Sequence, residues 1–344
     1  MPLPRFRSVF PTRENPNTRS GRRAHALFFA DPPRNLAVVA LGELCGTFMF
    51  LLLSFVGAQT ALDANDPGAD GKSDPGAPLL PFTLLYVAAS FGAALAVNVW
   101  IFFRVTGGMF NPVVTLGLVL VGAVKPLRAA VAFAAQLVAA IAAAAATSAL
   151  IPGPLTVGNK LSPGVSVARG LFLEMFLTAQ LVLTVYFLAV EKHRSTYLAP
   201  LGIGASVFLA HLCGTRYTGT SINPARSFGP AVVVTGGFPG YHWIFWLGPL
   251  LGALLAWSCY AVLKWLEYET ANPGQDAPDL ELANRDVAAP TAADVHRTEK
   301  FYPKPAPVLP PPPSSSHMSV PASPRSDVRP GSGISTVEIM EGGR

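Results

Sequence analysis

Hydrophobic residues in this chain come in long unbroken blocks, not in the alternation of a strand or the one-sided stripe of a soluble helix. Six blocks, residues 36–58, 81–103, 126–150, 168–190, 197–213 and 241–266, carry little charge and are separated by more polar intervals. A helix rises about 1.5 Å per residue, so blocks of this length can cross the roughly 30 Å hydrocarbon core of a bilayer. Two further apolar stretches, ending at Gly122 and near Val234, are too short to cross. The predicted fold class is therefore an all-α membrane protein, with six transmembrane helices and two re-entrant half-helices. Small residues recur at four-residue spacing inside the blocks (Gly42/Gly46, Gly202/Ser206, Gly248/Gly252), as close helix packing in lipid requires. Asp-Pro and Pro-Gly steps make 59–80 a loop, and 151–167 is a second exposed loop by the same signals.

Both short stretches begin with one element. Thr106-Gly107-Gly108-Met109-Phe110-Asn111-Pro112-Val113-Val114-Thr115-Leu116-Gly117 and Thr218-Gly219-Thr220-Ser221-Ile222-Asn223-Pro224-Ala225-Arg226-Ser227-Phe228-Gly229 share Thr, Gly, Asn, Pro and the final Gly in register. Thr115 is answered by Ser227. Irregular backbone at membrane depth is tolerated only where it is buried in protein or lines a watery cavity. Paired interruptions at matching positions of two halves point to a pore or binding site. Glu43 precedes Asn111 by 68 positions and Glu174 precedes Asn223 by 49, so the first half (36–150) carries extra residues relative to the second (168–266). The loop at 59–80 is where they fit. Three spans per half bring the second half in from the opposite face, which makes an inverted-topology repeat.

Composition supports this and adds orientation. The chain of 344 residues is 51% hydrophobic and 13% charged, against about 25% charged in a soluble domain. Charge crowds into 1–35 and 267–344, which delimit a transmembrane domain at 36–266. The first tail, rich in Arg, Pro, Asn and Ser, and the second, rich in Pro and Ser, are expected to be disordered. The seven arginines of 1–35, Arg104, Lys192, His193, Arg194 and Lys264 fall on one side of a six-span layout, while Asp63, Asp66, Asp70 and Asp74 fall on the other. The positive-inside bias then makes both termini cytoplasmic. It also explains the net charge of +5 more simply than a nucleic-acid partner would. Residues 310–313 are consecutive prolines; the C-terminal tail is either simply solvated or a site for a proline-binding or regulatory partner. The first apolar block is too long and too late for a cleavable signal peptide. Cys45, Cys213 and Cys259 lie in apolar blocks without paired or metal-type spacing, and are expected to be small buried hydrophobes. No catalytic constellation, cofactor motif or metal site is visible, so the chain is not read as an enzyme.

Asn-Pro by itself means little, since Asn15-Pro16 and Asn272-Pro273 occur in the tails. At the mouth of an apolar half-helix it has a definite chemistry. Pro suits the first helical position. Asn caps that turn and keeps a side-chain NH2 for other partners. Two half-helices entering from opposite faces meet N-terminus to N-terminus, each end carrying about +0.5 charge.

With these two boxes, a Glu in the first and fourth spans and the segment His242-Trp243-Ile244-Phe245-Trp246-Leu247-Gly248-Pro249, the chain resembles the aquaporins, the major intrinsic protein family. The resemblance covers roughly 36–266 and is to the water-selective type; the long tails are similar to those of fungal members. It implies that Asn111, Pro112 and Val113, with Asn223, Pro224 and Ala225, are the pore boxes. Asn111 and Asn223 would donate to a single water at the pore centre, breaking the hydrogen-bonded wire that protons need. The filter is implied at Phe91, twenty positions before Asn111, at His211 and Thr220, twelve and three before Asn223, and at Arg226, three after it. Glu43, Glu174 and Gln180 resemble residues that hydrogen-bond the buried loops. Glycerol-conducting relatives lack that His and carry Asp after the Arg, whereas Ser227 follows it here; Ala231, Phe245 and Trp246 also fit the water-selective pattern. Two positions depart. Val113 replaces the family's usual Ala where the half-helices touch, and Thr220 replaces a frequent Cys, so no mercury block is expected there.

The implied protein is a passive water channel driven by osmotic gradients, excluding protons and ions. The resemblance further implies a homotetramer with one pore per protomer, and the plasma membrane is the expected setting. The alternatives are a channel for hydrogen peroxide or another small neutral solute, a secondary transporter built on inverted repeats, and a scaffold that kept the fold without conduction. The Arg- and Pro-rich N-terminal tail is a candidate gate of the cytoplasmic mouth.

Overall fold

A computed structural model of the chain describes residues 32–64, 79–193 and 195–272. All of them belong to one of its two compact units, Met1–Arg285. The tails and most of the Asp-rich loop lie outside the described residues, and with them the expectations of disorder, N-terminal gating and a C-terminal partner.

Eight α-helices follow in order among the described residues: α1 (Pro33–Ala64), α2 (Pro81–Phe102), α3 (Pro112–Leu120), α4 (Pro126–Leu150), α5 (Val167–Val185), α6 (Ala199–Thr218), α7 (Pro224–Val233) and α8 (Ile244–Trp265). Six are long and apolar enough to cross a membrane, counting α5 with its continuation to Val190; α3 and α7, of 9 and 10 residues, are not. Five begin with Pro, whose missing N–H is not needed in a first turn. With six crossings, Pro33 and Trp265 end on one face, called here the terminal face.

Helix ends differ from the sequence expectation where loops pull on them. α1 runs six residues past 58, into the predicted loop. Its Gln59 explains this: Oε1 accepts from Thr156 N at 2.9 Å, and Nε2 donates to Asp63 Oδ1 at 2.8 Å and Pro154 O at 3.3 Å. α6 continues to Thr218, where Gly219 ends it in left-handed backbone (φ 76°), the conformation glycine adopts without penalty. α8 starts at Ile244 instead of 241. α5 passes into a π-helical turn at Tyr186–Val190, a form that is rare and concentrates at functional sites. Tyr186 Oη there donates to Gly117 O at 2.8 Å, fastening α3 to α5.

The packing has twofold logic. α1 packs on α2 and α4, and α5 packs correspondingly on α6 and α8, while α2 and α6 meet across the centre. Each half-helix is held by both halves, since α3 contacts α4 and α8, and α7 contacts α8 and α4. Contacts this close need small residues. A Cβ added at Gly229 in α7 would lie 2.3 Å from the Ala140 carbonyl oxygen of α4, and one at Gly252 would lie 2.4 Å from Met175 O. Outward faces carry exposed Leu41, Val97, Phe176 and Trp257, as a lipid-facing surface should. Cys45, Cys213 and Cys259 also lie on exposed surface. The expectation that they are buried fails, because an apolar block in lipid has two apolar faces and composition does not say which one turns inward.

Candidate functional site

Each box enters its half-helix through left-handed backbone. Gly107, Gly108 and Phe110 have φ of 98°, 65° and 49°; Gly219, Thr220 and Ile222 have 76°, 51° and 46°. Such a conformation costs a non-glycine residue on the order of 1–3 kcal/mol unless its surroundings enforce it. Here two fully buried carboxylates enforce it. Glu43 accepts from Thr106 Oγ1 (2.5 Å), Met109 N (3.2 Å) and Phe110 N (2.9 Å). Glu174 accepts from Thr218 Oγ1 (2.6 Å), Ser221 N (2.8 Å) and Ile222 N (2.8 Å). Successive N–H groups turned onto one carboxyl group form a nest, so the strained turn and the buried acceptor stabilise each other.

Gln180 does not join this scaffold. It is exposed on α5, and its amide reaches only Thr184 Oγ1, at 3.5 Å. The glutamine that does so is Gln136 of α4, which donates to Glu43 Oε2 (2.8 Å) and Thr115 Oγ1 (3.0 Å). The reason is register: residue 180 falls on the outward face of its helix, residue 136 on the inward face of α4.

The half-helix mouths are tied to each other. Asn111 caps α3 through Oδ1 to Val113 N (3.0 Å), and Asn223 caps α7 through Oδ1 to Ala225 N (3.0 Å) and Arg226 N (3.4 Å). Asn111 Nδ2 donates to Ile222 O at 2.8 Å, and Asn223 Nδ2 donates to Phe110 O at 2.8 Å. An amide NH2 has two hydrogens. Each Asn therefore commits one to the other box and keeps one toward the cavity that both residues line. Pro112 and Pro224 occupy the first helical positions. Val113 and Ala225 are buried in one continuous apolar core, so the larger side chain is accommodated there.

That cavity, about 450 Å³, runs from Arg128 and Lys192 on the terminal face past the two Asn side chains to Phe91, His211 and Arg226. Its far end is tight. The Phe91 and His211 rings stack with centroids 3.9 Å apart and planes at 23°, and the Arg226 guanidinium carbon lies 5.2 Å from the Phe91 centroid. Arg226 donates from Nη1 to Val157 O (2.8 Å) and from Nη2 to Gly219 O (3.2 Å), while its Nε has no partner among the described residues. Thr220 is not in the cavity wall. Left-handed backbone turns its hydroxyl toward α6, 3.4 Å from Ala210 O and 3.4 Å from Thr215 Oγ1.

The loop at 151–167, expected to be exposed, folds inward in part. Val157 and Asn159 are buried. Asn159 accepts from Ser227 Oγ (2.8 Å) and donates to Thr218 O (3.1 Å), bracing the second box while Val157 holds Arg226. Sequence reasoning missed Val157 because a backbone carbonyl has no residue signature. It missed Gln136 because one amide in an Ala-rich block carries no charge to draw notice.

A family model described as Major intrinsic protein matches residues 35–260. Aquaporin-1 of Gibberella zeae is 68% identical over 251 residues, which cover 73% of this chain and 77% of that protein. Aquaporin-7 of Botryotinia fuckeliana is 50% identical over 273 residues, 79% of this chain but only 60% of that protein's length. Among solved structures, the X-ray structure of the aquaglyceroporin from Plasmodium falciparum aligns with a TM-score of 0.53 and 19% identity, over 66% of this chain and 99% of that one. At that identity the likeness shows the fold alone.

Proposed function

Since the chain belongs to the major intrinsic protein family, whose members are channels for water or small solutes, we propose that it is a passive water-selective channel driven by osmotic gradients. The observation that carries this reading is the tight meeting of Phe91, His211 and Arg226 at the end of the cavity. A stacked Phe–His wall facing a fixed guanidinium supports passage of something one water wide and disfavours a polyol. The free N–H on each of Asn111 and Asn223 supports proton exclusion, because a water accepting from both turns its own hydrogens outward along the pore. The positive half-helix ends meeting there oppose cations, as in aquaporin-type pores generally. Family membership displaces the secondary-transporter alternative. Basic residues on the terminal face support cytoplasmic termini, and the wide exposed apolar faces are compatible with a homotetramer in the plasma membrane.

Stopped-flow shrinkage of proteoliposomes tests this. Fast osmotic flux with weak temperature dependence, no proton leak and slow glycerol entry is the expected outcome. Rapid glycerol entry would make the protein a solute channel, and flux equal to that of empty vesicles would end the water reading. A hydrogen peroxide arm on the same vesicles decides the near alternative.

A further inference from the structure

We infer that Thr215, acting with Thr220, fixes which nitrogen of His211 faces the pore. The inference deepens the water-channel reading and rests on it only for the consequence for permeation. Three contacts form a line. His211 Nδ1 lies 3.0 Å from Thr215 Oγ1, Thr215 Oγ1 lies 3.4 Å from Thr220 Oγ1, and Thr220 Oγ1 donates to Ala210 O at 3.4 Å. A carbonyl only accepts, and a hydroxyl has one hydrogen. We assign the Thr220 hydrogen to Ala210 O, the one neighbour in the line that can only accept, and with that assignment Thr215 is the donor to Thr220. The hydrogen between Thr215 and His211 then comes from the imidazole. The ring is protonated at Nδ1 and bare at Nε2.

The geometry behind this line comes from helix α6 and the second box together. Thr215 is one helical turn beyond His211 on α6, so the two side chains share a face. Thr220 reaches them from the second box because residue 214 is Gly; a Cβ there would lie 2.5 Å from Thr220 Oγ1. His211 and Thr220 are both buried, with 1% and 0% exposure. Thr215 between them is half-buried, and with its hydrogen on Thr220 it has none to give the ring, which is what holds the proton on Nδ1. Thr215 and Thr220 are positioning residues, since they reach the pore only through His211.

The consequence is a filter of mixed character. Arg226 has guanidinium N–H donors beyond the two given to Val157 O and Gly219 O, and His211 offers a bare acceptor at Nε2. Water satisfies both at once by accepting from one and donating to the other. The opposite tautomer would leave donors only, a lining suited to a solute that merely accepts.

Nitrogen-15 NMR on full-length protein in lipid, labelled at the imidazole nitrogens, reads the tautomer directly, with a His211→Asn sample assigning the signal. The expected wild-type pattern is a protonated Nδ1 and a bare Nε2; a protonated Nε2 overturns the inference without any variant having to fold. Thr215→Val keeps the shape but removes the acceptor. It should shift the tautomer ratio toward Nε2–H by about three- to tenfold, the population equivalent of one net hydrogen bond, and slow water flux in stopped-flow. Thr215→Ser should restore both readouts. An unchanged ratio in Thr215→Val also overturns the inference. If the tautomer is as expected but wild-type vesicles show no water flux, the water-channel reading fails and the assignment of His211 stands.

Discussion

A carboxylate suits the back of each box because it can only accept. Thr218 Oγ1, Ser221 N and Ile222 N all point at Glu174, so Glu174→Gln must turn an NH2 toward donors or leave one of them unmet. We expect a destabilisation of about 1–3 kcal/mol for a buried polar mismatch, seen as a lower thermal midpoint of the solubilised protein, with Glu174→Asp intermediate. Glu43 and Glu174 were legible in the sequence because acids inside apolar blocks are expensive and therefore stand out. Gln136 was not, since an amide among alanines raises no such flag, and resemblance alone pointed to the outward-facing Gln180. Thr220 was legible in position but not in direction. Its φ of 51° sends the hydroxyl toward α6, and nothing in a Thr-Gly-Thr string announces that turn.

The elements were more legible than their ends. Six crossing helices and two half-helices follow from block length, but the extra turns of α1 and α6 follow from Gln59 and Gly219, which act through loops. The closest backbone approach argued above, α7 on α4, gives a sharp expectation. Gly229→Ala places a methyl 2.3 Å from the Ala140 carbonyl oxygen, and backbone on both sides cannot yield cheaply. The variant should lose monodisperse elution in detergent, whereas Ala139→Gly on the facing helix should not. The turn before α8 adds a pH response. His242 is buried with neither ring nitrogen partnered among the described residues, against Phe238 (4.8 Å) and Phe245 (5.8 Å). Burial holds its imidazole below the ordinary range. An unfolded His titrates near about 6.5, so as pH falls the unfolded chain takes up the proton first. Stability is therefore full above that pH and is lost below it until the folded form also titrates. Thermal midpoints from about pH 8 to about pH 5 should fall on the acid side, and His242→Phe should flatten that fall.

At the scale of the molecule, the inverted repeat is a statement about mutual dependence. The duplicated Thr-Gly…Asn-Pro…Gly string shows that two similar loops exist; in the folded protein each supplies what the other lacks, through Asn111 to Ile222 O and Asn223 to Phe110 O. That reciprocity sets a timetable for biosynthesis. A ribosome delivers residues 106–120 to the membrane well before residues 218–233 exist, so in that interval the Phe110 carbonyl and the Asn111 amide have no counterpart. Such groups in hydrocarbon cost several kcal/mol each. The nascent first loop must therefore wait in water or against the insertion machinery, and it seats only when the second loop arrives. A chain truncated after Leu150 should integrate its three spans yet leave 106–120 open to protease in a pulse-chase experiment, and residues 151–344 supplied as a separate polypeptide should close it. A first loop already protected in the truncated chain would show that the two loops seat independently.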